Sequence, residues 1–157
     1  MKDSHIGTYG VLGLIFYYLL FVNVLSTFVT NQQESAFVML LIIISTDSIC
    51  KYLSSTIIYF LPYSRKEEEA KNKLIYKQVS IKDKLCSLAL TALPLILVYW
   101  GNGDIILKLS VSTIASALAA ALMFNYMKKK IQGYTGDCCG ATFIVTELIF
   151  YLAWVAN

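Results

Sequence analysis

Long apolar runs, almost unbroken by charge, set the first limit on this chain. A helix needs about 20 mainly apolar residues to cross the hydrocarbon core of a bilayer. The chain reads as spans near residues 10–29, 36–62, 85–100, 105–124 and 138–156. Its hydrophobic share is 57% with only 15% charged residues, against roughly 45–50% apolar in ordinary soluble domains. The predicted fold is therefore all-α, a polytopic membrane helix bundle of about five transmembrane helices. Ser45, Thr46, Asp47, Ser48 and Lys51 interrupt the second run, which reads either as one long tilted helix or as a broken one. The first run is long enough to stay in the bilayer, and no Lys/Arg-led signal peptide with a cleavage site is visible.

Positive charge orients the bundle. Lys2 precedes the first span; Arg65, Lys66, Lys71, Lys73, Lys77, Lys82 and Lys84 lie between the second and third; Lys128, Lys129 and Lys130 precede the fifth. The loops between, around Asn31–Ser35 and Gly101–Asp104, carry only Glu34 and Asp104. By the positive-inside rule the N-terminus is expected in the cytoplasm and the C-terminus outside. These lysines read as topogenic and lipid-facing, so the net charge of +3 points to no nucleic-acid partner.

No internal repeat or linker divides the sequence, and residues 1–157 read as a single integral-membrane domain. The loop from Ser64 to Lys82 is long enough for an interfacial helix through Leu74, Ile75, Tyr76 and Val79. Cys50, Cys86, Cys138 and Cys139 show neither Cys-x-x-Cys spacing nor histidine partners, so they read as small packing residues rather than zinc or iron–sulfur ligands.

Ionisable residues at membrane depth cost roughly 2.5–3.5 kcal/mol each on insertion scales and mark function or internal pairing. Asp47 and Lys51 are four apart, on one helical face, and an internal ion pair and a substrate contact both fit them. Glu147 lies ten residues beyond Asp137, about 15 Å along a helix. It reads as a structural polar contact or part of a polar cavity.

The run Ile131-Gln132-Gly133-Tyr134-Thr135-Gly136-Asp137-Cys138-Cys139-Gly140-Ala141 stands apart, a glycine-rich acidic turn where a span meets water. Gly133, Gly136 and Gly140 would let a ligand approach the main chain, and Thr135 is placed to cap the following helix. The helix N-terminus favours anions, and the Asp137 carboxylate can hold a divalent cation. An ordinary turn with a helix-starting aspartate is the plain alternative.

Three stretches together resemble a known family. Met1-Lys2-Asp3-Ser4-His5-Ile6-Gly7-Thr8-Tyr9-Gly10, Leu61-Pro62-Tyr63-Ser64-Arg65, and Gly133-Tyr134-Thr135-Gly136-Asp137-Cys138-Cys139-Gly140-Ala141 with Glu147 look like successive motifs of cobalamin synthase, adenosylcobinamide-GDP ribazoletransferase. The family patterns are M-K-D-S-x-x-G-x-x-G, P-Y-x-R and G-G-x-T-G-D-x-x-G-A, and the resemblance covers essentially the whole chain. It implies a phosphoryl-type transfer at the cytoplasmic membrane, joining adenosylcobinamide-GDP to alpha-ribazole or its 5'-phosphate with release of GMP. On that resemblance Asp3 and Asp137 are candidate catalytic groups and ligands for a magnesium ion. Lys2, Ser4, Lys51, Arg65, Gly133, Thr135, Gly136 and Gly140 are candidates for phosphate or substrate contact, with Asp47 and Glu147 as secondary polar residues.

The family also carries an aspartate-rich D-G-L-x-D-x-x-D-G segment shortly before K-D-S, whereas this chain begins at that methionine. It is therefore expected to be the C-terminal part of such an enzyme. The competing expectation is a non-catalytic membrane remnant, or a subunit needing a complementary N-terminal fragment or an oligomeric partner. Smaller departures weaken phosphate contacts: Lys51 stands where an arginine is expected, His5 where arginine is common, and Gln132-Gly133 replaces a Gly-Gly pair. An ammonium cannot reproduce the bidentate grip of a guanidinium.

Overall fold

The structure is a computed structural model of the 157-residue chain and describes residues 7–31, 35–64, 79–99 and 103–157. The described residues form five helices, α1 (Thr8–Asn31), α2 (Ala36–Phe60), α3 (Ile81–Tyr99), α4 (Gly103–Lys130) and α5 (Gly136–Ala156). It divides into two compact units, Met1–Gln33 and Glu34–Asn157. The first contributes α1, an apolar helix of 24 residues.

The second unit is a four-helix bundle in which α2 packs against α3, α4 and α5. Among the described residues four helices are long and apolar enough to cross a membrane: Thr8–Thr30, Ala36–Phe60, Ile105–Lys130 and Gly136–Ala156. The protein is thus a multi-pass membrane protein built from helices, as its composition demands. The difference from the sequence reading lies in α3. Lys82, Asp83 and Lys84 occupy its first turn, leaving Leu85–Tyr99, about 22 Å of helix at 1.5 Å per residue. That falls short of a hydrocarbon core about 30 Å thick, so four rather than five helices qualify by length and composition.

The polar interruption in α2 does not break it. Lys51 Nζ donates to Asp47 Oδ2 at 2.8 Å. Ser45 and Thr46 donate their hydroxyl hydrogens to Leu41 O and Ile42 O, one turn earlier, at 2.7 and 2.9 Å. Ser45, Thr46, Asp47 and Lys51 thus find partners on their own helix, and the helix runs through. Small residues bring α4 and α5 together: Ser112 and Ser116 are fully buried, Ala119 and Ala120 nearly so. This small-xxx-small pattern lets helix backbones approach within a membrane. Ser116 Oγ donates across to Thr146 O at 2.9 Å.

The ends of α2 and α4 follow from their sequences. Proline disfavours the helical region for the residue before it, and Leu61, preceding Pro62, is extended at φ −110°, ψ 144°. At the end of α4, Lys128, Lys129 and Lys130 sit where the helix dipole favours cations. Ile131 N and Gln132 N both donate to Met127 O, at 2.9 and 3.1 Å. Gln132 takes φ 55°, a left-handed conformation that glycine adopts without strain.

The segments that follow α2 and α4 then lock together. Tyr134 N donates to Pro62 O and Ser64 N donates to Tyr134 O, both at 2.9 Å, forming an isolated parallel bridge between Tyr63 and Tyr134. The Tyr63 and Tyr134 rings meet edge to face with centroids 5.5 Å apart. Beneath them Ile57, Leu61, Met127 and Tyr134 form a buried cluster, with Cys138 and Cys139 packed against it. A Cβ on Gly133 would stand 2.6 Å from Pro62 O and 3.1 Å from Ser64 Cβ. Both neighbours belong to the opposing segment, and the first is backbone that cannot swing away.

Gly133→Ala is expected to destabilise the second unit by about 1–3 kcal/mol, the usual penalty for overpacking. Thermal unfolding in detergent micelles followed by circular dichroism measures it, and an unchanged midpoint would contradict the close packing described. The neighbouring position should respond in the opposite direction. A left-handed conformation costs an L-residue about 1–2 kcal/mol, while the extra freedom of glycine in the unfolded chain costs about 0.5–1 kcal/mol. Gln132→Gly is therefore expected to stabilise by about 0.5–1 kcal/mol in the same unfolding measurement.

Candidate functional site

The clasp between Pro62–Ser64 and Gly133–Thr135 creates a small platform at one end of the bundle, and α5 starts from its edge. Thr135 is the N-cap residue, extended at φ −128°, ψ 164°. Its side chain does not cap the helix as the sequence suggested: Oγ1 donates to Cys138 Sγ at 3.2 Å. The first turn is closed by the main chain instead, with Cys138 N and Cys139 N reaching Thr135 O at 3.1 and 3.3 Å. The first N–H groups of any helix have no intrahelical acceptor and carry the positive end of its dipole. Here that end is accessible, because Gly136, Asp137 and Gly140 are exposed.

The three glycines of the turn serve different ends. Gly133 is buried and required by contact with Pro62. Nothing lies within 4 Å of a Cβ built on Gly136 or Gly140, so neither is demanded by packing. Both leave open space beside an exposed backbone, where a ligand could approach the main chain.

Asp137 projects from the first turn of α5. It stands beside the platform that joins two of the three motifs singled out in the sequence. Lys2, Asp3, Ser4 and Arg65 lie outside the described residues, as does most of the segment expected to form an interfacial helix.

Lys51 is placed elsewhere. Nine residues before the end of α2, it is about 14 Å along the helix from the clasp. There it pairs with Asp47, and its Nζ stands 6.0 Å from the centroid of the Phe143 ring on α5. Glu147 lies within electrostatic range of both Asp47 and Lys51. The second polar group of the sequence reading is thus a mid-helix cluster, separate from the turn.

A magnesium ion typically keeps several waters and takes one or two protein carboxylates together with substrate phosphates. Among the described residues no group of three or more His, Cys, Asp or Glu side chains is arranged to hold a metal ion. Asp137 offers one carboxylate at the platform, and the described residues do not make a magnesium site by themselves. What they do form is a surface suited to an anion: helix-start N–H groups, open backbone at Gly136 and Gly140, and the exposed Gly136–Asp137 edge.

The sequence reading missed the strand-like clasp and the hydroxyls of α2 and α3 that continue the Asp47–Lys51 line. An i, i+4 spacing through Asp47, Lys51, Ser55 and Tyr59 was the available signal.

Comparison with known proteins agrees with the motifs. The family model described as cobalamin-5-phosphate synthase matches residues 1–155. An adenosylcobinamide-GDP ribazoletransferase of Leptothrix cholodnii is 28% identical over all of this chain and 58% of its own length. Proteins of the same name from Leptospira interrogans and Vibrio parahaemolyticus are 30% and 31% identical, over 97% and 99% of this chain and 56% and 55% of theirs. The chain therefore spans a little over half the length of these relatives. No solved structure matches it. With two of the three motifs locked together in the fold and the family model covering nearly every residue, the chain belongs to the cobalamin-5-phosphate synthase family of enzymes.

Proposed function

We propose that this chain takes part in the closing transfer of cobalamin synthesis at the cytoplasmic membrane. In it, adenosylcobinamide-GDP and alpha-ribazole, or its 5'-phosphate, give adenosylcobalamin, or its 5'-phosphate, and GMP. The observation that carries the reading is the clasp, which brings the Pro62-Tyr63-Ser64 and Gly133–Asp137 motifs to one edge of the bundle. The N-terminus is assigned to the cytoplasm by the distribution of lysine and arginine. On that assignment the clasp faces the cytoplasm, where nucleotide substrates are found.

In the reaction a ribazole hydroxyl oxygen forms a bond to the cobinamide-side phosphorus, and the bond from that phosphorus to the bridging oxygen breaks. GMP departs with the bonding electron pair. Such a transfer depends chiefly on positioning and on neutralising charge. The start of α5 and the open backbone of Gly136 and Gly140 hold the pyrophosphate, and the Asp137 carboxylate orients the attacking hydroxyl and accepts its proton. In this proposal Asp3 and Asp137 would hold a magnesium ion, which would supply neutralisation of the phosphate charge. Lys2, Ser4 and Arg65 complete the phosphate contacts.

The length of the relatives favours a second reading, in which this chain is one part of the machinery and needs a complementary polypeptide or further copies to turn over. Reconstitution decides between them. The purified chain in liposomes, given adenosylcobinamide-GDP, alpha-ribazole and magnesium, is expected to release GMP. Release only after the upstream part of a relative is added would favour the second reading, and none under either condition would sink both. Where activity is found, Asp137→Asn is expected to lower kcat by about 10²–10⁴-fold, the range for loss of a proton-transferring side chain, with an unchanged circular dichroism spectrum. Undiminished turnover would reduce Asp137 to architecture.

A further inference from the structure

An open trench is laid out between α2 and α3, and α5 packs on α2 as well. Both α3 and α5 pack on α2, yet among the described residues no Cα of α3 lies within 8 Å of one of α5. Along the floor, Asp47, Lys51, Ser55 and Tyr59 follow one another at four-residue intervals, one line of about 18 Å on the helix surface. A cavity of about 320 Å³ opens beside that line, bounded by Ser48, Lys51, Tyr52 and Ser55 of α2 and by Ser87, Leu90 and Thr91 of α3.

The trench runs from mid-span to the clasp. Asp47 is about 16 Å from the start of α2 and about 20 Å from its end, while Tyr59 is one residue short of that end. At this mouth the Tyr59 hydroxyl and Ser87 Oγ are 3.2 Å apart, and Lys84 Nζ stands 4.8 Å from the centroid of the Tyr59 ring. Toward mid-span Glu147 of α5 lies within electrostatic range of Asp47 and Lys51. The side chains of Lys51 and Asp47 remain 65% and 42% exposed.

Charges at that depth cost roughly 2.5–3.5 kcal/mol each against lipid, so the trench is not built to face acyl chains. Its formal charges balance, Asp47 and Glu147 against Lys51 and Lys84, which disfavours a phosphate. Three of its hydroxyls are committed as donors: Ser55 Oγ to Tyr52 O, Ser87 Oγ to Lys84 O and Thr91 Oγ1 to Ser87 O, at 2.8, 2.9 and 2.9 Å. What they present to the cavity is acceptor lone pairs.

We infer that this trench is a second subsite, holding a neutral group rich in hydrogen-bond donors, of which the primary carboxamides at the periphery of a corrinoid are the chemical match. The inference rests on the proposed reaction. The nucleotide end of the substrate lies at the clasp, and the amide-bearing ring edge enters the trench mouth between α2 and α3.

Ser55→Cys and, on the opposite wall, Thr91→Cys test it in the full chain reconstituted in liposomes. A membrane-impermeant cationic thiosulfonate is the label, read peptide by peptide by mass spectrometry. Leu118→Cys, on an exposed apolar position of α4, is the lipid-facing control, and Ser48→Cys replaces either trench variant that fails to fold. The expected result is labelling in the trench and not at position 118, slowed at least fivefold by cobinamide and unaffected by GMP. Trench cysteines as unreactive as position 118 would overturn the inference, as would protection by GMP in place of cobinamide. Cobinamide that co-sediments with the liposomes without slowing labelling overturns the subsite while leaving the proposed reaction standing. Cobinamide that does not bind at all removes both.

Discussion

Two backbone hydrogen bonds, Tyr134 N to Pro62 O and Ser64 N to Tyr134 O, hold together the part of this protein where helix gives way to irregular chain. Such places are the weak points of a membrane bundle, because non-helical N–H and C=O groups need partners near a medium that offers few. The clasp supplies them across 71 residues of sequence, from the end of α2 to the start of α5. It also fixes where α5 begins, and so where Asp137 and the exposed helix start are presented. Gly133 is the condition for this approach: its missing side chain is the space occupied by the Pro62 carbonyl. The buried cluster of Ile57, Leu61, Met127 and Tyr134 closes the clasp from beneath, away from the platform.

Much of this was legible in the sequence wherever the governing physics is local. Hydropathy located the long spans, Pro62 marked the end of α2, and the four-residue spacing of Asp47 and Lys51 anticipated their ion pair. What was not legible depends on distant neighbours. The sequence treats Gly133, Gly136 and Gly140 alike, yet only Gly133 is held by packing, and its partner lies on another segment. Thr135 has the residue type and position of a capping residue, but Cys138 three residues on takes its hydroxyl hydrogen. The shortness of α3 was partly visible in Lys82, Asp83 and Lys84. A window centred on its apolar residues passes over the charges that consume its first turn.

The site presents a division of the same kind. Motif order places Lys51 among phosphate-binding residues, while helix geometry sets it about 14 Å from the turn and gives it Asp47 as a partner. The two observations are reconciled if the ligand is long. A nucleotide-activated corrinoid has a charged end and a bulky neutral end, and a protein that joins it to a second substrate must hold both without letting either drift. The anion-favouring start of α5 and the charge-balanced trench below it differ in the property that separates those two ends.

This arrangement bears on why polar residues persist at the middle of α2. A structural ion pair buried between helices is poor evidence for stability, since desolvation can cancel its attraction and an apolar pair of similar size often serves as well. The Asp47–Lys51 pair is not even fully buried, so neither packing nor hydrophobic burial accounts for it. Ser55 and Tyr59 extend the same line toward the clasp, and Ser87 and Thr91 face it from α3. A row of bonded hydroxyls and mutually neutralised charges costs little to keep, because Asp47, Lys51, Ser55, Ser87 and Thr91 have partners on their own helices and Tyr59 meets Ser87 across the mouth. It gains its purpose from what those groups still offer on their open side, acceptors and a balanced field, to a ligand that arrives with donors of its own.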